Sequence, residues 1–305
     1  MKQSILLVGH GSRNVDGNHE IQAFADQWRE RNPQWRIEVC YIEFAEVLLD
    51  AGLDKAAKGA ERVIVVPLIL NAAGHVKMEI PAHIEQARGR HPDTEFVYAR
   101  HLGASETLLT VLKRQLRQAM LVLDVPDPKT TGVIVLGRGS SDRVANGELA
   151  KMVRWLYEEG DHELVDIAFT GVTHPRLETV VQRQARLGMT QIVVLPYYLF
   201  TGTLMERIQR QVIHLQGQYP NIRFAAGNYF GFENEVFQLL DHRVREVLGE
   251  GDDALQMMEC DGCQYRSLAE EQGHGHHHHD EHSTHGHEHG HGHDHHHHEH
   301  HHQHG

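Results

Sequence analysis

The sequence predicts an α/β protein of two tandem homologous domains. Each is a parallel sheet of the flavodoxin/Rossmann-like kind, the two face a central cleft, and a disordered His-rich tail follows. Three observations carry this. Residues 5–13, ILLVGHGSR, form a short apolar run broken by Gly-His-Gly-Ser-Arg, the pattern of a buried parallel strand entering a tight turn. Strand-like runs then alternate with amphipathic helical patterns, which builds a parallel sheet covered on both faces. Finally, residues 133–141, VIVLGRGSS, repeat the opening stretch 128 residues later, with Arg138 where His10 stood.

The register of the repeat holds beyond that turn. Asn14 and Asn18 match Asp142 and Asn146, and His91-Pro92-Asp93 matches Tyr219-Pro220-Asn221. One inserted residue moves Val66-Pro67 onto Leu195-Pro196, and a compensating deletion returns Gly74 onto Gly202. A period this long means two copies of one domain, since solenoid repeats are shorter. The chain divides into residues 1–123, a Pro-containing linker at 124–132, a second copy at 133–250, a Cys-containing segment at 251–272 and the tail at 273–305.

Within the first copy, residues 18–30 place Ile21, Phe24, Ala25 and Trp28 at helical spacing, and Pro33 follows. Residues 36–44 read as a second strand, residues 48–59 as a second helix, and residues 62–70 (RVIVVPLIL) as a third, fully buried strand. Pro81 suits the first turn of the next helix, so His75 is expected in the loop before it and Glu79 near the helix start. Residues 95–99 supply a fourth strand, and Leu108, Leu109, Leu112 and Leu116 mark one face of a helix over 107–121. The second copy replays the order, with strands at 133–136, 164–169, 191–196 and 223–226.

The charge balance is acidic, 42 Asp and Glu against 29 Lys and Arg. Six of the acids and none of the bases lie beyond Glu270, so the rest carries 36 acids against 29 bases, a net of −7. That argues against a broad nucleic-acid or membrane surface. No apolar run is long enough to span a bilayer, no basic-then-apolar signal peptide stands at Met1, and three cysteines do not make a secreted disulfide framework. The expectation is a cytoplasmic protein, monomer or homodimer.

The two copies differ where chemistry is expected, at the carboxyl ends of the strands. His10 becomes Arg138, Glu43 becomes Gly171, Glu46 becomes His174 and His75 becomes Thr203. Residues that only hold a fold would be kept in both copies more often, so the loss of both histidines points to a site served by the first copy. Two imidazoles with one or two carboxylates suit a divalent metal such as Co, Ni, Fe, Cu or Zn. The turn has no G-x-G-x-x-G, and Ser12 lacks the G-x-S-x-G elbow, so neither dinucleotide binding nor acyl transfer is indicated.

The GHGSR turn, the later Gly74-His75 leading into Glu79-Ile80-Pro81, and the half-length repeat resemble the sirohydrochlorin chelatases, specifically the long two-domain CbiX type of class II tetrapyrrole chelatase. The resemblance covers residues 5–248. It implies a chelatase-like fold and ATP-independent insertion of Co2+ into sirohydrochlorin, with His10 and His75 handling the metal. The family more often has Asp at Glu79, and Glu-Pro-Ser where this chain has Glu46-Val47-Leu48. Glu43, Glu46 and Glu79 are candidates for taking up the pyrrole protons, with helix capping an equal alternative for Glu79. Ser12, Arg13, Lys77, Arg100 and Arg138 are candidates for binding a substrate rich in carboxylates.

Two further signals lie near the C-terminus. Met258-Glu259-Cys260-Asp261-Gly262-Cys263 resembles the M-x-C-x-x-C that long cobaltochelatases use for an iron–sulfur cluster. C-x-x-C also serves zinc and thiol redox sites, and a [4Fe-4S] cluster usually takes four cysteines. The third cysteine, Cys40, sits in a core strand, so a cluster would require other ligands or a second chain. Beyond residue 273 stand 19 of the 29 histidines. This composition builds no core and suits binding of divalent metal ions as a store or delivery segment. The rival functions are ferrochelation or nickel insertion at the same site, and metal storage or chaperoning without turnover.

Overall fold

The computed structural model describes residues 2–123 and 126–249. Each copy of the repeat forms one four-stranded sheet, parallel throughout. In the first, β1 (Gln3–Gly9), β2 (Ile37–Tyr41), β3 (Arg62–Pro67) and β4 (Glu95–Tyr98) lie in the order β2-β1-β3-β4. In the second, β5 (Thr131–Gly137), β6 (Val165–Phe169), β7 (Gln191–Pro196) and β8 (Arg223–Ala226) lie in the order β6-β5-β7-β8. β1 and β5 are buried along almost their whole length, as their uninterrupted apolar runs require.

The helices form three layers. α2 (Leu49–Ala57) and α3 (Ile80–Arg90) cover the outer face of the first sheet, and α6 (Leu177–Arg186) and α7 (Thr203–Gln218) that of the second. Between the sheets lie α1 (Val15–Arg31), α4 (Glu106–Met120), α5 (Arg143–Glu158) and α8 (Asn234–Leu248), sharing one apolar core. The last helix of each copy is exchanged. α4 packs on β7, β8 and α5 of the second copy, and α8 packs on β3 of the first. Phe24 of α1 stacks on Phe237 of α8 at 4.1 Å and 5°, and Trp28 Nε1–H donates to Asp241 at 2.8 Å. The buried Arg243 guanidinium of α8 donates to the His101 and Leu102 carbonyls at 2.9 and 2.8 Å, clamping the loop after β4.

Three sequence expectations shift. α1 begins at Val15 rather than residue 18, because Asn14 takes the cap position and accepts from Asp16 N–H. β3 ends at Pro67 instead of residue 70: Leu68 N–H still reaches the Val8 carbonyl, after which residues 69–74 leave the sheet. His75 is not in a loop. Residues His75–Glu79 form a single π-helical turn that runs straight into α3, with Ile80 N–H donating to the His75 carbonyl. Pro81 has no N–H to give, and a widened turn just before it accommodates that loss. Among the described residues, no helix is long and apolar enough to cross a membrane.

Candidate metal and ligand site

In a sheet of order 2-1-3-4, the connections leave β1 and β3 in opposite directions, and a crevice opens between their carboxyl ends. His10 follows β1, the segment ending in His75 follows β3, and Glu43 follows β2. The fold thus delivers three donors from three adjacent strand ends.

The His10 turn is held from below. Gly11 has φ 88°, and a Cβ there would lie 1.7 Å from the Glu43 carbonyl oxygen, so the position requires glycine. Asn18 Oδ1 accepts from Ser12 N–H at 2.8 Å, while Nδ2 donates to the Ser12 and Phe44 carbonyls at 3.0 and 2.8 Å. The second copy keeps the device, with Asn146 bonded in the same way to Ser140. Phe44 and Val172 hold matching positive φ angles of 55° and 60°, a strained backbone for non-glycine residues that the turn retains in both copies.

One donor atom each from His10, Glu43 and His75 lie within 4.8 Å of one another, and all three residues are half-buried. Among the described residues it is the one place where three such groups converge. The imidazole rings meet edge to face, 4.9 Å apart at 85°. His10 Nδ1 lies 3.1 Å from the Gly11 carbonyl and 3.6 Å from Glu43 Oε1, and Nε2 lies 3.2 Å from Arg138 Nη1. That pattern assigns the Nδ1–H tautomer, with Nε2 as the lone pair. His75 Nδ1 meets Glu79 Oε2 at 2.5 Å, which leaves Nε2 free to ligate. Burial lowers the His10 pKa from its ordinary 6.5, and the neighbouring Arg138 and His75 push the same way against the Gly11 carbonyl. A neutral imidazole is the form that binds a metal, and two nitrogens with one oxygen suit a borderline divalent cation with open positions.

The triad opens on a cleft of about 900 Å³ between the two sheets' carboxyl ends. Its walls are largely apolar: Leu68, Ile69, Leu70 and Met78 on one side, Val172, Tyr198, Leu199 and Phe200 on the other. Glu20 ties the two halves together, accepting from Thr201 N–H at 2.8 Å and from the Tyr229 hydroxyl at 2.6 Å.

Of the residues singled out from sequence, His10, His75, Glu79, Ser12 and Arg138 line this cleft and Glu43 joins the donor set. The Ser12 hydroxyl accepts from Asn14 N–H within the turn. Glu46 is exposed and outside the donor set. Lys77 is paired with Asp142, Arg13 stacks 4.8 Å over Phe44, and Arg100 lies 4.0 Å from Glu246; none of the three lines the cleft. Cys260, Cys263 and the His-rich tail lie outside the described residues. Sequence reasoning missed the apolar walls. Their signal was present, as apolar residues continue past the strand-ending proline in both copies (Leu68-Ile69-Leu70 and Tyr197-Tyr198-Leu199-Phe200).

Comparison with known proteins agrees with this arrangement. The chain is 41% identical to the sirohydrochlorin cobaltochelatase of Priestia megaterium, over 87% of this chain and 85% of that one. It is 29% identical to the sirohydrochlorin ferrochelatase of Bacillus subtilis (strain 168), over 88% of this chain and the whole of the other. The crystal structure of the sirohydrochlorin chelatase SirB from Bacillus subtilis subspecies spizizenii in complex with cobalt superposes with a TM-score of 0.69 at 28% identity, covering 83% of this chain and 97% of that one. The CbiX family description matches residues 4–119 and again 132–247, one match for each copy of the repeat. With its two matched halves, its paired parallel sheets and the donor triad in its first half, this chain belongs to the CbiX family.

Proposed function

We propose that the protein inserts Co2+ into sirohydrochlorin without ATP, giving cobalt-sirohydrochlorin on the anaerobic route to cobalamin. The observation that carries this is the His10–Glu43–His75 triad opening on a largely apolar cleft of about 900 Å³. The likeness to a sirohydrochlorin cobaltochelatase over most of the chain supports it.

The geometry divides the work. The macrocycle's faces pack against the apolar walls, which excludes water from the exchange. His10 and His75 hold the incoming cation through neutral Nε2 lone pairs. Insertion releases two pyrrole protons, and the Glu43 carboxylate and the His75–Glu79 pair are the basic groups at the triad that take them up. Glu79 accepts the His75 Nδ1–H bond, fixing the ring's tautomer and raising the basicity of Nε2. Arg138 lines the cleft and pairs with a substrate carboxylate.

The domain division at residues 124–132, a cytoplasmic location, Cys260 and Cys263 as iron–sulfur ligands, and the tail as a metal store are supported by the sequence alone. Ferrochelation is the second reading, favoured by the 29% identity to sirohydrochlorin ferrochelatases. Anaerobic absorbance assays with sirohydrochlorin and Co2+, Ni2+ or Fe2+, each without ATP, decide. Catalytic spectral turnover that is fastest with Co2+ supports the proposal. Preference for Fe2+ moves the protein to the second reading, and metal binding without turnover leaves a storage protein.

A further inference from the structure

The duplicated site in the second half has not merely lost its metal ligands; its charge is inverted. His10 corresponds to Arg138, Glu43 to Gly171, His75 to Thr203, and Glu79 to Arg207 one turn into α7. Two imidazoles and two carboxylates have become two guanidiniums, a hydroxyl and a glycine. The turn itself is unchanged, with Gly139 at φ 85° against 88° for Gly11.

The groups around that turn suit an anion. Tyr198 lines the cleft, and its hydroxyl shares a 2.7 Å hydrogen bond with Thr170 Oγ1. Arg207 stands four residues after the cleft-lining Thr203 in α7, so the two share a helix face. Burial pushes the Tyr198 phenol up to about 12, against the Thr170 hydrogen bond and the Arg138 and Arg207 charges that pull it down. Arg176 adds a third positive charge. A Cβ on Gly171 would lie 3.9 Å from Arg176 Nη1, and that buried nitrogen has no hydrogen-bond partner. Where the first copy has the carboxylate of Glu43, the second has Gly171.

Arg138 also reaches across to the first copy, donating from Nη1 to His10 Nε2 at 3.2 Å. It therefore occupies the lone pair that a metal requires and holds a positive charge beside it. A carboxylate is a stronger acceptor for guanidinium than a neutral imidazole, because the hydrogen bond is charge-assisted.

We infer that the second copy's duplicate of the metal site is an anion site, in which Arg138 and Arg207, with Tyr198 and Thr203, take one peripheral carboxylate of the tetrapyrrole and thereby draw Arg138 off His10 Nε2. The ligand's identity rests on the chelatase reading above; the Arg138–His10 contact does not. Tetrapyrrole binding then prepares the metal ligand, and by linkage each substrate strengthens the binding of the other.

The test uses the full chain with two readouts, Co2+ titration without tetrapyrrole and sirohydrochlorin titration without metal, with circular dichroism confirming the fold. Arg138→Ala binds Co2+ more tightly than wild type by about 5-fold or more, the lower end of ordinary site-to-site coupling, while Arg207→Ala leaves Co2+ affinity unchanged. Both variants weaken sirohydrochlorin binding by roughly 10-fold, as expected for loss of a charge-assisted pair, and Arg138→Lys and Arg207→Lys restore part of it. Unchanged or weaker Co2+ binding in Arg138→Ala overturns the release of His10, and unchanged sirohydrochlorin affinity in Arg207→Ala overturns the anion site. If the wild type binds no sirohydrochlorin, the chelatase reading falls with the ligand's identity, while the Co2+ titration still decides the Arg138 contact.

Discussion

Lys77 Nζ and Asp142 Oδ2 meet at 2.6 Å with side chains only 11% and 8% exposed. The pair pins the π turn that carries His75 and Glu79 to the start of α5 in the other half of the molecule. Burial alone would raise the Asp142 pKa, yet the Lys77 ammonium and the Val144 N–H hold it below the usual 3.8.

Asp142→Asn keeps a capping oxygen for Val144 but removes the carboxylate charge that faces the Lys77 ammonium in a buried place. Removing one partner of such a pair costs about 3–5 kcal/mol, whereas replacing both is often close to neutral. Denaturant unfolding is expected to show the single variant destabilised on this scale and Lys77→Met/Asp142→Asn largely recovered. The folded-state pKa is depressed, so the stabilisation is in force above 3.8 and is lost as pH falls through the folded value. The gap between wild type and Asp142→Asn therefore closes only in acid below that point.

In metal binding Glu79 acts through His75, whose ring it orients. Glu79→Ala is expected to weaken Co2+ binding by about 10- to 100-fold, the usual effect of losing the group that orients a ligating histidine. Glu79→Gln, which still accepts the Nδ1–H bond, restores part of the affinity. Equal loss in both variants would place a charge requirement on Glu79 instead.

The His10 ring titrates below 6.5 in the metal-free protein, because burial and the Arg138 guanidinium disfavour its cation. Between the folded value and 6.5 the unfolded chain binds more protons, so this residue's share of stability declines as pH falls through that window. Proton NMR, with the resonance assigned from His10→Asn, reads the midpoint directly. Arg138→Ala should move it upward, and no movement would show that the guanidinium does not act on the ring.

The exchange of α4 and α8 makes the halves interdependent. A fragment of residues 1–123 keeps β1–β4 but loses the α8 surface that buries Phe24 and Trp28, while the apolar face of its own α4 has no sheet to cover. It is expected to form oligomers or aggregate in isolation and to be rescued by co-expression with residues 126–249. A monomeric, cooperatively unfolding fragment would contradict the shared core.

Much of this architecture was legible from residues. The run 5–9 and its repeat announced two parallel sheets, and the unequal copies singled out His10, Glu43, Glu46 and His75, of which Glu46 stands outside the donor set. What stayed hidden depends on contacts remote in sequence. Leu108 to Leu116 show an apolar face, but nothing in that periodicity says that the face seeks β7 rather than β4. Lys77 reads as a surface cation until Asp142, 65 residues away, is found against it. The π turn at His75 was unreadable for a different reason. A Pro at the second position of a helix is the ordinary signature of a helix start, and only the Ile80 N–H bond to the His75 carbonyl reveals a wider turn already under way.

The central claim is that the first copy's His10 and His75 carry the metal to the tetrapyrrole. Both sit at strand ends by the cleft, so truncation opens no core cavity, and His10→Ala and His75→Ala should keep the wild-type circular dichroism. The decisive measurement is the initial rate of cobalt-sirohydrochlorin formation by each folded variant across a range of Co2+ concentrations. A fall of about 10²–10⁴-fold is expected for each, on the scale of losing a catalytic base. Near-wild-type rates in both folded histidine variants would contradict the account and return the two residues to a role in holding their turns.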